Sequence, residues 1–399
     1  MAGSRAPMRF ASVALAILRW GWRRRRPATP RRILVLHRLL LGDTLMVTAL
    51  LAKLRAQFPA AHIAMTVAPG YAPLYAGRPY GVTALPLDPR DIGTFWPLLF
   101  APRFDLAILP ADNRWSWLAR AIGARWIVGI AGDRPAHKNW PVDELVPYST
   151  IPTAYGDTAA ELAPGPPPAP YRIDDWPAPP KDRSPLRYDR YAVLHVGASS
   201  RLKLWPAERW RALAASLEAT GLTVVWSAGP GESAILDAID PDQPPQGRPK
   251  AAPPQGEDAA GVFGGTSQRP RIAGTLSLPA MWHVLAGAQL LVCPDTGIAH
   301  LGRIVGVPTV TLFGPGSSVI CGPGAFFADM PGRAVTIAPF PCRDQTIQFF
   351  RDVAWARRCE RLYGDAPGRC PRALCMEAIE LPAVLAAIES LGATMHPRR

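Results

Sequence analysis

Residues 290–316 read LLVCPDTGIAHLGRIVGVPTVTLFGPG. Two apolar runs, Leu290–Cys293 and Pro308–Phe313, have the length and β-branched content of buried strands. Between them sits the polar string DTGIAH, at the point where the first run ends. A bland reading makes Asp295 and Thr296 a helix cap and His300 a satisfied interior histidine. A sharper one makes the string a phosphate-and-sugar site at the carboxyl end of a parallel sheet. There, the amides of a helix start attract an anion and a bare glycine lets it approach the chain.

Working outward, the same strand–helix alternation recurs. Before the quoted stretch come YAVLHVGAS from Tyr191, a helical PAERWRALAASLEATG, the strand LTVVWSAGPG and the helical LPAMWHVLAGA. Near the start of the chain, RRILVLHR (Arg31–Arg38) leads through LLLGD into a helical stretch that Pro59 stops. Further runs follow in AHIAMTVAP, GVTALPLD, FDLAILP and RWIVGIAG. Strands alternating with helices predict β-α units, parallel sheets and right-handed crossovers. The pattern therefore predicts an α/β chain with two Rossmann-like domains facing a cleft. The expected divisions are a basic N-terminal segment (1–30), a first domain (31–160), a proline-rich linker (161–190), a second domain (191–380) and a C-terminal helix and tail (381–399). Residues 240–270 show no periodicity and are expected to be a disordered insertion. The helix Leu381–Leu391 is expected to pack back on the first domain.

The bulk numbers agree with two domains. The chain has 399 residues, 48% of them hydrophobic, and 46 prolines. Its net charge of +13 is unevenly spread, because nine arginines and no acid occur before residue 33. The remainder is only mildly basic and has no basic groove interleaved with aromatics, which argues against nucleic acid as a partner. The stretch from Phe10 to Leu18 is far shorter than the ~20 residues that span a bilayer, and its dense positive charge follows rather than precedes it. Residues 9–26, with Trp20 and Trp22 beside Arg23–Arg26, suit an interfacial anchor on an anionic membrane surface; a plain basic tail is the alternative. Cys342, Cys359, Cys370 and Cys375 crowd the end of the chain, but spacings of sixteen and four intervening residues lack the paired knuckles of a zinc site. Zinc there stays open. No Asp-x-Asp metal-binding pair stands out, so no obligatory metal and no cofactor is expected at the candidate site.

The candidate site residues all follow strands. Asp295, Thr296, Gly297 and His300 form the anion corner, with Asp295 better suited to accept from amides or sugar hydroxyls than to meet phosphate. Lys203, in GASSRLKLWP, precedes a helix and can neutralise a diphosphate leaving group. Glu232, in SAGPGES, either accepts from ribose hydroxyls or caps the next helix. Asp43 after the first strand is either a helix cap or a general base for an incoming hydroxyl. Neither GxGxxG nor GxxxxGK[ST] occurs at these turns, which weakens a nicotinamide or P-loop reading.

RRILVLHRLLLGDTLMVTALLAKLRAQFP resembles the opening of glycosyltransferase family 9, the heptosyltransferases. LVCPDTGIAHLGRIVGVPTVTLFGPG resembles that family's nucleotide-sugar segment, and KLWP and CPRALCMEAI resemble further family segments. The likeness runs in order through most of residues 31–390. It implies a GT-B type, inverting enzyme on the cytoplasmic face of the inner membrane. It also implies a nucleoside diphosphate sugar donor (ADP-heptose) and a lipopolysaccharide or glycolipid acceptor. By the same resemblance Asp43 is the base, Lys203, Asp295, Thr296, Gly297 and His300 hold the donor, and Glu232 matches a ribose-binding acid less securely. A non-catalytic sugar-nucleotide-binding protein and a nucleotide-sugar epimerase are the other readings compatible with the pattern.

Overall fold

The computed structural model describes residues 6–19, 25–180, 186, 188–240 and 269–392. Most of residues 240–270, expected to be a disordered insertion, and Trp20, Trp22, Arg23 and Arg24 lie outside the described residues. The chain divides into two units that are not simple halves. The first comprises Met1–Pro179, Val319–Asp329 and Asp344–Arg358; the second comprises Pro180–Ser318, Met330–Arg343 and Cys359–Arg399.

In the first unit the elements run α1 (Ala6–Leu18), β1 (Arg32–Val35), α2 (Leu41–Met46), α3 (Thr48–Gln57), β2 (His62–Val67) and β3 (Thr83–Pro86). They continue with α4 (Trp96–Phe100), β4 (Leu106–Leu109), α5 (Ser116–Ala121), β5 (Trp126–Ile130), β6 (Glu144–Val146) and α6 (Tyr155–Ala160). The sheet order is β3-β2-β1-β4-β5-β6, and every pairing is parallel. Strand order reverses between β1 and β4, so the loops after these two strands open at the topological switch point. The central strand β4 is buried along its whole length, as expected where helices cover both faces of a sheet. Helix α1 packs on α5. It buries Met8, Ser12 and Ala16 and leaves Phe10, Val13, Ile17 and Leu18 exposed.

In the second unit the order is α7 (Ala207–Glu218) after β7 (Tyr191–His195), then β8 (Thr223–Ala228), α8 (Ser233–Ile239), β9 (Arg271–Ala273), α9 (Leu278–Gly287) and β10 (Leu290–Pro294). Helix α10 (Gly297–Val305) and strands β11 (Thr309–Phe313) and β12 (Gly332–Thr336) follow. The sheet reads β12-β11-β10-β7-β8-β9, again all parallel, with its switch point between β7 and β10. The quoted stretch is therefore two adjacent central strands, β10 and β11, with α10 as their crossover. A small hairpin, β13 (Ile347–Gln348) and β14 (Arg351–Asp352), belongs to the first unit. Two helices close the chain, α11 (Leu374–Glu377) and α12 (Leu381–Gly392).

One expectation is corrected. Helix α12 packs on β12, β11 and α7 of its own unit, where Val384 and Leu391 enter the core with Trp205, Leu213 and Val335. The reason is complementarity: the outer face of the β11–β12 edge is apolar and α12 covers it. Two later segments also join the first unit instead of the second. Tyr155 donates its backbone N–H to the carbonyl of Ile320, and the Asp157 carboxylate accepts from the amides of Ala325 and Phe326 at 2.6 and 3.1 Å. Tyr171 and Trp176, from the proline-rich stretch, are buried in the first unit against Phe326 and Tyr75.

Candidate functional site

The switch point of the second unit collects the residues singled out after β7, β8 and β10. Asp295 is buried, and the Lys203 ammonium donates to its carbonyl oxygen at 2.6 Å and lies 3.1 Å from its Oδ2. Gly316 makes room for this carboxylate: a Cβ there would stand 2.5 Å from Oδ2. Thr296 is the residue before α10 but its hydroxyl does not cap the helix. That Oγ1 is buried and finds no hydrogen-bond partner among the described residues. Gly297 opens α10, whose first-turn amides have no acceptor within the helix.

His300 is one turn into α10 and buried, and its Nε2 lies 4.0 Å from Asp295 Oδ1. Its Nδ1 sits 3.3 Å from an Arg303 guanidinium nitrogen. Because a guanidinium only donates, Nδ1 accepts and the ring proton resides on Nε2. Burial, then the Arg303 charge, push the imidazole down to about 3, so it is neutral at physiological pH. His300 thus presents an N–H donor into the corner rather than a charge.

Glu232 precedes α8 and its side chain turns back, accepting from the Gly229 amide at 2.7 Å. A Cβ at Gly197 would meet its Oε2 at 1.9 Å, so glycine after β7 is what lets this carboxylate lie across the ends of β7 and β8. Sequence reasoning named Glu232 but missed the two glycines that seat it. It also missed His195, buried at the end of β7 with Nδ1 3.0 Å from Ser227 Oγ and pushed by burial down to about 4. The signal for all three is position at a strand's carboxyl end.

The first unit holds Asp43 and a buried polar network. Asp43 is the third residue of α2; the residue preceding the helix is Leu40, which supplies no side-chain cap. Tyr155 is fully buried, and burial followed by the nearby Asp43 carboxylate raises its phenol well above the ordinary value. Asp112, after β4, also bears on Tyr155. His37, after β1, is buried; its Nδ1 lies 3.4 Å from the Leu39 amide, and burial lowers it to about 3. Arg351, on β14, is buried and donates to the carbonyls of Ala131 (2.6 Å), Ala111 (2.7 Å) and Ile130 (2.9 Å). It lies 3.7 Å from Asp133, which also pairs with Lys138 at 3.2 Å. Asp112 was findable by the strand-end rule. Arg351 was not, since it is far off in sequence. Asp43 belongs to the first unit, and the six other candidate residues belong to the second.

Among the described residues, no group of three or more His, Cys, Asp or Glu side chains is arranged to hold a metal ion, and no disulfide joins the six cysteines.

Two sheets of order 3-2-1-4-5-6, each with polar residues gathered at its switch point, define a double-Rossmann protein of the nucleotide-binding kind. The model of glycosyltransferase family 9 (heptosyltransferase) matches residues 95–326, more than half of the chain. The chain belongs to glycosyltransferase family 9 and is a glycosyl-transfer enzyme. It is 26% identical over 309 residues to lipopolysaccharide heptosyltransferase 1 of Pseudomonas aeruginosa, covering 71% of this chain and 79% of that protein. Its fold matches two solved structures. Escherichia coli ADP-heptose lps heptosyltransferase II has a TM-score of 0.62 at 18% identity, over 91% of this chain and 99% of that one. Escherichia coli heptosyltransferase WaaC with ADP has a TM-score of 0.62 at 17% identity, over 90% and 99%. These two likenesses establish the GT-B type α/β fold.

Proposed function

We propose that this protein transfers heptose from ADP-heptose to a lipopolysaccharide core or related glycolipid acceptor, with inversion at the anomeric carbon. The observation that carries this reading is the Asp295–Thr296–Gly297–His300 corner with Lys203, set at the switch point of the second sheet. The names of its relatives supply the sugar and the acceptor class.

The donor's diphosphate lies against the start of α10, where the helix amides, the Thr296 hydroxyl and the Lys203 ammonium supply donors and charge. His300, held neutral, donates through Nε2. Glu232 accepts from the ribose hydroxyls. Asp43 takes the proton of the acceptor hydroxyl as its oxygen bonds to the anomeric carbon. The bond from that carbon to the diphosphate oxygen breaks, and its electron pair leaves with ADP. Lys203 and the α10 amides stabilise the charge that grows on this leaving group, the electrostatic part of catalysis. No metal or cofactor enters the scheme.

The test is transfer itself. Incubated with ADP-heptose, the full chain is expected to release ADP only when a heptose-free core acceptor is present, and to yield the heptosylated product with inverted configuration by NMR. ADP-heptose binding without turnover would make it a non-catalytic binder, and a changed sugar without acceptor would make it an epimerase. Asp43→Asn is expected to lower kcat by ~10²–10⁴ while donor affinity stays near the parent value. Equal donor affinity and equal kcat would remove Asp43 from the mechanism.

Peripheral association with the cytoplasmic membrane face is part of the proposal. It is supported by the exposed Phe10, Ile17 and Leu18 on α1, which also carries Arg9, and by the basic sequence that follows the helix. No helix among the described residues is long and apolar enough to cross a membrane. Since Met8 and Ala16 pack into the first unit, the outward face is the part to alter. Phe10→Glu with Ile17→Glu is expected to release the protein from anionic vesicles and leave Tm nearly unchanged. Undiminished vesicle binding would dismiss α1 as the anchor.

A further inference from the structure

The amino-terminal edge of the first sheet, opposite the strand ends that Asp43 follows, gathers cations without acids. Arg32 opens β1 and His62 opens β2, and the two are register partners, so their side chains leave the same face of the sheet. Arg55 sits in the last turn of α3, and Arg78 precedes the tight Pro79–Gly81 turn that leads into β3. Burial, then the charges of Arg32, Arg78 and Arg55, hold the His62 imidazole below its ordinary value. Three guanidinium groups therefore lie close enough to act on one ring.

None of the three forms an ion pair with a carboxylate among the described residues. Arg125, just before β5, shows the usual arrangement: it lies 3.5 Å from Asp105. Asp105 also accepts from the amides of Arg31 and Arg32, at 2.9 and 3.1 Å, and so is engaged on the β4 side of β1. Arg55 donates only to neutral carbonyls: Nε to Tyr80 at 2.8 Å, Nη1 to Pro59 at 2.7 Å and Ala61 at 3.0 Å, Nη2 to Gly81 at 3.4 Å. Arg32 lies 5.3 Å from the Phe104 ring centre, a contact that leaves its N–H groups open. Its Nε is buried and has no hydrogen-bond partner among the described residues, and the same holds for His62 Nδ1. Buried polar atoms without partners are rare in folded proteins, and two stand together here.

The loop that brings in the third cation is strained. Arg78 and Tyr80 have φ of 53° and 51°, in the left-handed region that side chains other than glycine seldom adopt. Such outliers concentrate at binding and catalytic sites. The bond from Arg55 to the Tyr80 carbonyl pins the loop, and the Tyr80 hydroxyl lies 3.3 Å from Asp175. Arg78 is exposed, and its Nη2 reaches Thr83 Oγ1, at the start of β3, at 3.2 Å. The loop thus holds a positive side chain beside two others, an arrangement that repulsion opposes and a bound anion would reverse.

We propose that Arg32, Arg55, Arg78 and His62 form a binding site for a phosphate group, at the end of the first sheet away from the proposed reaction. Phosphate oxygens accept from several guanidinium N–H groups at once, and the clustered charge suits a dianion. The site does not rest on the transfer reaction. Free phosphate and the headgroup of an anionic phospholipid carry the same chemistry, and the test separates them.

The readout is the His62 imidazole of the full chain, followed by NMR and assigned with His62→Gln. It belongs to the first unit, so it reports this site and not the donor corner of the second. Inorganic phosphate is expected to shift the His62 signal saturably and to raise the pKa of the ring, because a bound dianion offsets the surrounding positive field. Sodium chloride at equal ionic strength is expected to do neither. Arg78→Asn is the decisive variant, since Asn suits the left-handed position. It is expected to hold Tm while phosphate affinity falls at least ~10-fold, and Arg32→Gln to weaken phosphate similarly. Vesicles of phosphatidylcholine with phosphatidylglycerol identify the source. Weaker vesicle binding by Arg78→Asn assigns the site to a lipid headgroup, and undiminished vesicle binding assigns it to free phosphate. A His62 signal unmoved by phosphate, an equal response to chloride, or unchanged phosphate affinity in both variants would overturn the site.

Discussion

At the scale of single residues, charge state divides the candidate machinery. Lys203 and Asp295 are a contacting pair, so in the proposed donor site the ammonium would turn from the Asp295 carboxylate toward phosphate oxygens. Lys203→Ala is therefore expected to raise KM for the donor and lower kcat together, because the charge it meets grows in the transition state. His300→Ala is expected to weaken the donor by ~10-fold or less, the size of one neutral hydrogen bond. Steady-state kinetics with varied donor checks both. A loss in His300→Ala as large as in Lys203→Ala would mean that the imidazole is charged in the complex. Asp43→Asn should differ from both in sparing donor affinity, and isothermal titration with ADP reads that contrast directly.

At the scale of elements, glycines decide how closely helix, strand and loop approach. A Cβ at Gly302 of α10 would stand 2.6 Å from Leu291 and 2.9 Å from Thr309 Oγ1, on the strands beneath. Gly302→Ala is expected to destabilise the protein by ~1–3 kcal/mol, the usual size of overpacking, and to lower Tm. Gly316→Ala should behave differently. Its Cβ would strike the Asp295 carboxylate, a side chain able to turn away, so donor affinity is expected to fall further than Tm does. If both variants lose stability equally and bind donor equally, the loop after β11 does not position Asp295. In α12, Leu391 is fully buried, and Leu391→Ala is expected to cost ~2–5 kcal/mol.

At the scale of the whole molecule, three buried histidines make stability sensitive to acid. His37 and His300 are pushed by burial down to about 3 and His195 to about 4. Above pH ~6.5 both folded and unfolded chains carry them neutral, so they add no pH dependence. As pH falls below that, the unfolded chain takes up protons that the folded chain refuses. Each histidine then removes about 1.4 kcal/mol of stability per pH unit until its folded value is reached. Tm is expected to fall steadily from pH 6.5 to pH 4, with proton uptake on unfolding measurable by calorimetry in buffers of different ionisation enthalpy. A flat Tm across that window would mean that the three rings titrate normally in the native protein.

The sequence by itself determined the strand–helix alternation, the parallel sheets and the strand-end positions of Asp43, Lys203, Glu232, Asp295, Thr296, Gly297 and His300. These follow from local rules: apolar runs of strand length, helix stops at Pro and Gly, and polar residues clustered where a buried strand must end. Only the tertiary structure decided the rest. It seated Glu232 through Gly197 and Gly229, turned Lys203 onto Asp295, and placed α12 on the second sheet. It also brought Ile320, Phe326 and Arg351 into the first unit, more than 150 residues from their partners there. Contacts between segments so far apart leave no periodic trace in either segment. They depend on which apolar face is left uncovered and which buried carbonyls still lack a donor, and both are fixed only once the sheets have formed.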